Sequence, residues 1–221
     1  MQLASRVRFE KSLAQLTEDV VHLGGLARCQ VAFAMKALAD SDLDLAREVI
    51  VGDTTVNQIR FDVEANIYTL LAPEQPVAGD LRAIVSALSI TNDLERIADH
   101  GKKIAGVHLR LDQEPRTVPL GDIPHLGKMA LSLFDRALRT LVNRDVAEAR
   151  AVCAAYDDVD AQYKQTFNII LSYMLEDPRT TSPGTHLLQV AHELERVGDR
   201  ATNIAERVIY TATGELLDLN L

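Results

Sequence analysis

The strongest constraint on the fold is a segment that occurs twice. Leu94-Glu95-Arg96-Ile97-Ala98-Asp99 returns as Leu194-Glu195-Arg196-Val197-Gly198-Asp199, and Ile104-Ala105 returns as Ile204-Ala205. Weaker matches precede it in the same order: Asp42, Arg47, Val49 and Val56 correspond to Asp145, Arg150, Val152 and Val159. An ordered repeat over this much chain marks a duplicated structural unit.

The periodicity of each copy is helical. Residues 5–39 carry Phe9, Leu13, Leu16, Val20, Leu23, Ala27, Val31, Ala34 and Leu38 at spacings of three and four, the stripe of an amphipathic helix. Ala39-Asp40-Ser41-Asp42 offers turn and N-cap chemistry, and a second stripe follows over 43–72 through Ala46, Val49, Val56, Ile59, Val63, Ile67 and Leu70. Pro73 and Pro76 flank a tight connection, because each proline turns the preceding residue away from helical geometry. A third helix is expected from about Val77 to about Leu111. The stretch from Asp112 to Pro124 holds Pro115, Pro119, Gly121 and Pro124 and is the strongest break in the chain, so the boundary between units is expected there, at 1–114 and 115–221. Helices over 125–142, from beyond Asn143-Arg144-Asp145 to about Glu176, and from beyond a loop spanning 177–185 to about Thr213 complete the second unit. The fold class is all-α: two tandem three-helix bundles related by an internal repeat.

Composition agrees with helix and excludes several functions. The chain of 221 residues is 47% hydrophobic and 25% charged, with few glycines and prolines and no tryptophan. Its formal net charge of −9 repels phosphate backbones, so nucleic acid is not an expected partner. No apolar run approaches the roughly 18 residues that cross a bilayer, and no apolar leader precedes the first helix. A cytoplasmic protein, touching membranes only peripherally, is the expectation. Cys29 and Cys153 lie far apart without Cys-x-x-Cys spacing and read as ordinary buried thiols.

Chemistry concentrates on the third helix of each unit. Its apolar stripe holds Ala87, Ile90, Leu94, Ile97, Ala98, Gly101, Ile104 and Ala105. At about 100° per residue, Glu95 and Asp99 fall on one flank of that stripe, a turn apart. Glu195 and Asp199 occupy the same flank in the second unit, joined a turn earlier by His192. Like charges at this spacing cost a helix roughly 0.2–0.5 kcal/mol, a penalty that a bound cation would offset. Carboxylate oxygens suit magnesium, manganese, calcium or iron better than zinc or copper. Counting back from the turn, Asp53 and Asn57 on the second helix come level with Glu95 and Asp99, and Asp157 and Asp160 come level with Glu195 and Asp199. One oxygen-lined site per unit is therefore feasible. The alternative for all these acids is a solvated face paired with Arg or Lys.

The sequence resembles the PhoU family of phosphate-transport regulators. The resemblance rests on Asp80-Leu81-Arg82, both copies of the repeated hexapeptide, Asn203-Ile204, Phe9-Glu10-Lys11-Ser12-Leu13, the Gln75-Pro76 turn and Met174-Leu175-Glu176-Asp177-Pro178-Arg179. It implies tandem three-helix bundles that bind divalent or iron ions (iron, zinc, manganese or magnesium) through paired acidic motifs. Glu95, Asp99, Glu195 and Asp199 are the matched positions. It also implies a negative regulator of phosphate uptake and of phosphate-starvation signalling, linking the ATPase subunit of a phosphate ABC transporter to a sensor histidine kinase, and a possible homodimer. The second-helix motifs depart from the family pattern. Asp53 is followed by Asn57, a neutral donor, and the position equivalent to Asp53 is Tyr156, so that Asp157 would have to supply the second unit's carboxylate if Tyr156 has lost the role. Lys103 stands where the second unit has Asn203 and would compete with a cation.

Two other readings use the same residues. A carboxylate-bridged di-iron oxidase would need Glu-x-x-His pairs, and none occurs; Asp19-x-x-His22 and Asp122-x-x-His125 are aspartate versions off the duplicated helices. A metal-free helical adaptor would use the acidic flanks to meet basic surfaces of a partner, with the same regulatory outcome.

Overall fold

The computed structural model describes residues 2–71, 78–114 and 117–216. Pro73, the Gln75-Pro76 turn, Val77 and Pro115 lie outside the described residues. The elements are α1 (Gln2–Asp40), α2 (Leu43–Leu71), α3 (Ala78–Leu111), α4 (Ile123–Asn143), α5 (Val146–Glu176) and α6 (Thr181–Thr213), with a single 3-10 turn at Pro178–Thr180 before α6. Two of the expected boundaries move. Helix α4 begins at Ile123 rather than after Pro124, and α6 begins at Thr181 rather than beyond 185. The reason is shared: Pro124 and Pro183 sit in the first turn, where a backbone N–H has no intrahelical acceptor to lose.

The two α-hairpin corners are built alike. Ser41 and Arg144 take left-handed backbone angles (φ 60° and 52°), and each is followed by an aspartate that starts the next helix. Asp42 accepts a hydrogen bond from Leu45 N at 2.9 Å, and Asp145 accepts one from Glu148 N at 3.0 Å. Each aspartate N–H in turn reaches back to α1 or α4, Asp42 N to Ala37 O and Asp145 N to Thr140 O. These bonds satisfy orphan groups at both helix ends of each corner.

Every residue of the expected stripes of α1 and α2 is buried or packed against the core, from Phe9 through Leu38 and from Ala46 through Leu70. The core is continuous through both bundles. Helices α2 and α5 lie outermost, each touching only neighbours of its own unit, whereas α3 packs on α1, α2 and α6, and α6 packs on α3, α4 and α5. Helix α1 also meets α4. Gly101 lets α3 approach α1 closely: a Cβ there would lie 2.8 Å from the backbone of Gln30 and Val31.

The seam between α3 and α6 carries two acid–base pairs. His100 Nδ1 lies 2.5 Å from Glu193 Oε2, and Arg200 Nη1 donates to Asp93 Oδ1 at 3.1 Å. Asp93 and Glu193 are equivalent in the repeat, as are His100 and Arg200, so the pairs are related by the internal pseudo-symmetry of antiparallel helices. Burial pushes the Asp93 carboxyl above its ordinary range, outweighing the opposite pull of Arg200. A carboxyl raised in the folded state favours folding most below its unfolded pKa and loses that contribution as pH rises through the folded value. The pair therefore fixes which helices meet more than it stabilises them.

Cys153 is buried, with Sγ facing Thr202 O at 3.9 Å, and burial pushes its thiol up to about 11. Cys29 is exposed, correcting the expectation of two buried thiols. It follows the charged Arg28, whose guanidinium reaches Asp135 on α4, and so stands on the rim of the α1 stripe.

Two outcomes are expected. Asp42→Ala and Asp145→Ala should each lower the unfolding free energy by about 1 kcal/mol, additively in the double variant, as measured by urea denaturation. Arg200→Met alone should cost roughly 1–3 kcal/mol, whereas Arg200→Met combined with Asp93→Leu should recover most of that loss in the same measurement.

Candidate functional site

Side chains of α2 reach α3, and those of α5 reach α6, near the heights counted from the turns, but not all of the expected acids take part. What lies between them differs. In the first unit Asp53 is only 5% exposed, and its carboxylate accepts from Lys102 Nζ at 2.7 Å and from Asn57 Nδ2 at 3.0 Å. The Asn57 amide also donates to Asp53 O at 3.1 Å, so its N–H group, not its oxygen, is turned toward the carboxylate. Lys102 is held charged above its ordinary range, first by the hydrogen bond to Asp53 and then by the charges of Asp53, Asp99 and Glu95. The ammonium thus bonds Asp53 directly and feels Asp99 and Glu95 as further negative charges, without an ion-pair contact to either. Asp99 takes a second ammonium, from Lys103 at 3.0 Å, and Glu95 lies 3.6 Å from Arg96 Nε.

In the second unit the central donor comes from the opposite helix. The Tyr156 hydroxyl, on α5 at the position equivalent to Asp53, donates to Glu195 Oε1 on α6. Burial raises the Tyr156 phenol most, and the Glu195 hydrogen bond and the charges of Glu195, Asp199 and Asp160 raise it further. Gly198 lies against Val159 and this ring: a Cβ there would stand 3.1 Å from Val159 and in ordinary contact, 3.5 Å, with the Tyr156 ring. Around the ring, Asp199 pairs with Arg196 at 3.1 Å and Asp160 with Lys164 at 2.6 Å. His192 Nδ1 lies 3.7 Å from Glu195 Oε2, on the flank where it was expected, but the ring is more than half exposed and tilts against Tyr163 at 6.2 Å. Asp157 is exposed and points outside the cluster that Tyr156 fills.

These donor sets do not fit a cluster of metal ions. Among the described residues no three His, Cys, Asp or Glu side chains converge so as to hold an ion. Proton-bearing side chains occupy carboxylate oxygens instead, Lys102 on Asp53 in one unit and Tyr156 on Glu195 in the other. Of these, Lys102 was not singled out from the sequence, although Lys103 beside it was. The signal was present: Lys102 lies three residues beyond Asp99, on the flank already identified. The seam pairs Asp93–Arg200 and His100–Glu193 were also missed, although each member recurs at the repeat offset.

The PhoU domain profile matches residues 20–107 and again residues 123–208. The chain belongs to the PhoU family. The phosphate-specific transport system accessory protein PhoU homolog of Rhizobium meliloti is 38% identical over 93% of this chain and 87% of its own length. The homolog of Clostridium acetobutylicum is 36% identical over 98% of this chain and 99% of its own. The crystal structure of PhoU from Pseudomonas aeruginosa superposes with a TM-score of 0.90 at 33% identity, covering 94% of this chain and all of that one. The phosphate transport system regulatory protein PhoU from Streptococcus pneumoniae superposes with a TM-score of 0.88 at 30% identity. The duplicated hexapeptide that carried the resemblance falls inside each match, toward its C-terminal end.

The Tyr156–Glu195 bond has a pH signature. A phenol raised in the folded state contributes stability that is complete below the ordinary tyrosine pKa of about 10 and is lost as pH rises toward the folded value. Unfolding free energy should therefore fall more steeply with pH above about 10 in the wild type than in Tyr156→Phe, which should be less stable at neutral pH but flatter at alkaline pH. Chemical denaturation across that range is the measurement.

Proposed function

We propose that this chain is the accessory regulator of a phosphate-specific transport system: a negative regulator of phosphate uptake and of phosphate-starvation signalling. In this role it is a cytoplasmic adaptor between the ATPase subunit of the phosphate ABC transporter and a sensor histidine kinase, reaching the membrane only through them. The observation that carries the reading is the full-length match, through both repeats, to accessory proteins of phosphate transport.

The molecular features suit an adaptor rather than an enzyme. No helix among the described residues is long and apolar enough to cross a membrane, so contact with a transporter would be made by a bundle face. The repeated flanks carry ion pairs whose side chains are partly open to solvent, such as Asp99–Lys103 and Asp199–Arg196, rather than an acid and a base aimed into a cleft. Such mixed-charge faces set partner choice and association rate by electrostatic complementarity.

Deleting the gene in its source organism with phosphate in excess should switch on the phosphate-starvation genes and raise phosphate uptake, read by transcript level and by uptake of labelled phosphate. Silent genes and unchanged uptake would refute the assignment.

A further inference from the structure

We infer that Lys102 and Tyr156 are built-in substitutes for bound cations, so that both acidic clusters of this chain are satisfied by its own protons and need no metal. The inference concerns how the site is closed and goes beyond the regulatory role.

In the first cluster the carboxylates an ion would bridge are already engaged by ammonium groups of this chain. The Asp53 oxygen nearest α3 already accepts from Lys102 at 2.7 Å and from Asn57 at 3.0 Å. A divalent ion held by that oxygen would have to displace the Lys102 ammonium, and the displaced charge would still repel it. Lys103, 3.0 Å from Asp99, adds a second cation to the same approach. A Lys ammonium is a compact point charge with three donors on a flexible stem, and it can bridge carboxylates on two helices much as a hard cation does. Its aliphatic stem anchors it to α3 while the head reaches α2, so the link between helices is retained without any ion.

The second cluster reaches the same end by other chemistry. Tyr156 places an O–H, not a carboxylate, at the position equivalent to Asp53, and gives its proton to Glu195. That substitution removes one negative ligand and occupies an oxygen of another. Different residues from opposite helices thus fill equivalent places in the two repeats, which a solvated acidic face would not require.

The test is ion uptake by the purified full-length chain. MnCl2 is titrated into protein prepared without added metal, and free Mn2+ is followed by its electron paramagnetic resonance signal. Wild-type protein should leave the signal undiminished and its unfolding midpoint unchanged by MnCl2 or by EDTA. Lys102→Ala, and Tyr156→Asp, which restores the carboxylate found at Asp53, should each take up Mn2+, and saturating MnCl2 should raise their midpoints by roughly 5–10 °C. Tight uptake by the wild type overturns the inference. So does a folded Lys102→Ala that still ignores the ion, because then the ammonium is not what keeps the ion out. If Lys102→Ala folds only with MnCl2 present, the inference stands; if it stays unfolded with or without the ion, the ammonium is not standing in a cation's place and the inference fails. Ion uptake is read on isolated protein and phosphate uptake in cells, so the two assignments fail separately.

Discussion

The contact between α3 and α6 is the constraint on which the rest of the structure depends. Each of these helices must satisfy three neighbours at once, and so each is buried around most of its circumference. That burden explains the sequence between residues 84 and 108, where Ile90, Leu94, Ile97, Ile104 and Ala105 are fully buried and even Thr91, His100 and His108 are inside. Buried polar groups demand partners, and across the seam these come from the other repeat: Glu193 for His100 and Asp93 for Arg200. Duplication supplies the complement automatically, because an acid and a base at fixed positions on one helix face a base and an acid on an antiparallel copy. The two bundles become one core rather than two domains on a linker.

The acidic flanks are a consequence of that arrangement. With the stripe of α3 turned to the core and its back to α6, Glu95 and Asp99 are left facing the groove toward α2, and Glu195 and Asp199 face the groove toward α5. Carboxylates held together at a helix–helix groove need positive or proton-bearing neighbours, and the cost of leaving one without is highest for Asp53, the most buried of them. The repeats solve this locally and differently: a lysine from α3 in one, a tyrosine from α5 in the other. The two repeats can differ at the site and share the frame, because the frame needs only that the buried carboxylates be given a donor.

Much of this was legible beforehand. The stripes of α1, α2 and α3 named from spacing are the buried residues, and the αL–Asp corners at Ser41-Asp42 and Arg144-Asp145 are the turns that the aspartates announced. Prolines misplaced the starts of α4 and α6, since a proline in a first turn leaves the same sequence trace as one in a loop. Cys29 was read as a buried thiol for want of any pairing or metal-ligand spacing, yet it stands on the exposed side with Arg28. Asp157 was set level with Glu195 by counting along the axis, but a one-residue difference rotates a side chain by about 100°, and it is Tyr156 that faces the groove.

The sequence by itself determined the helices, their order, the twofold repeat and the height at which the acids of adjacent helices meet. These follow from periodicity and rise, which are properties of the local backbone. Only the tertiary structure decided that the two bundles share a seam, which acid takes which base, and that Lys102 and Tyr156 lie among the carboxylates. Those outcomes depend on rotation about the helix axis and on the reach of long side chains across a groove, which distance along the chain does not encode.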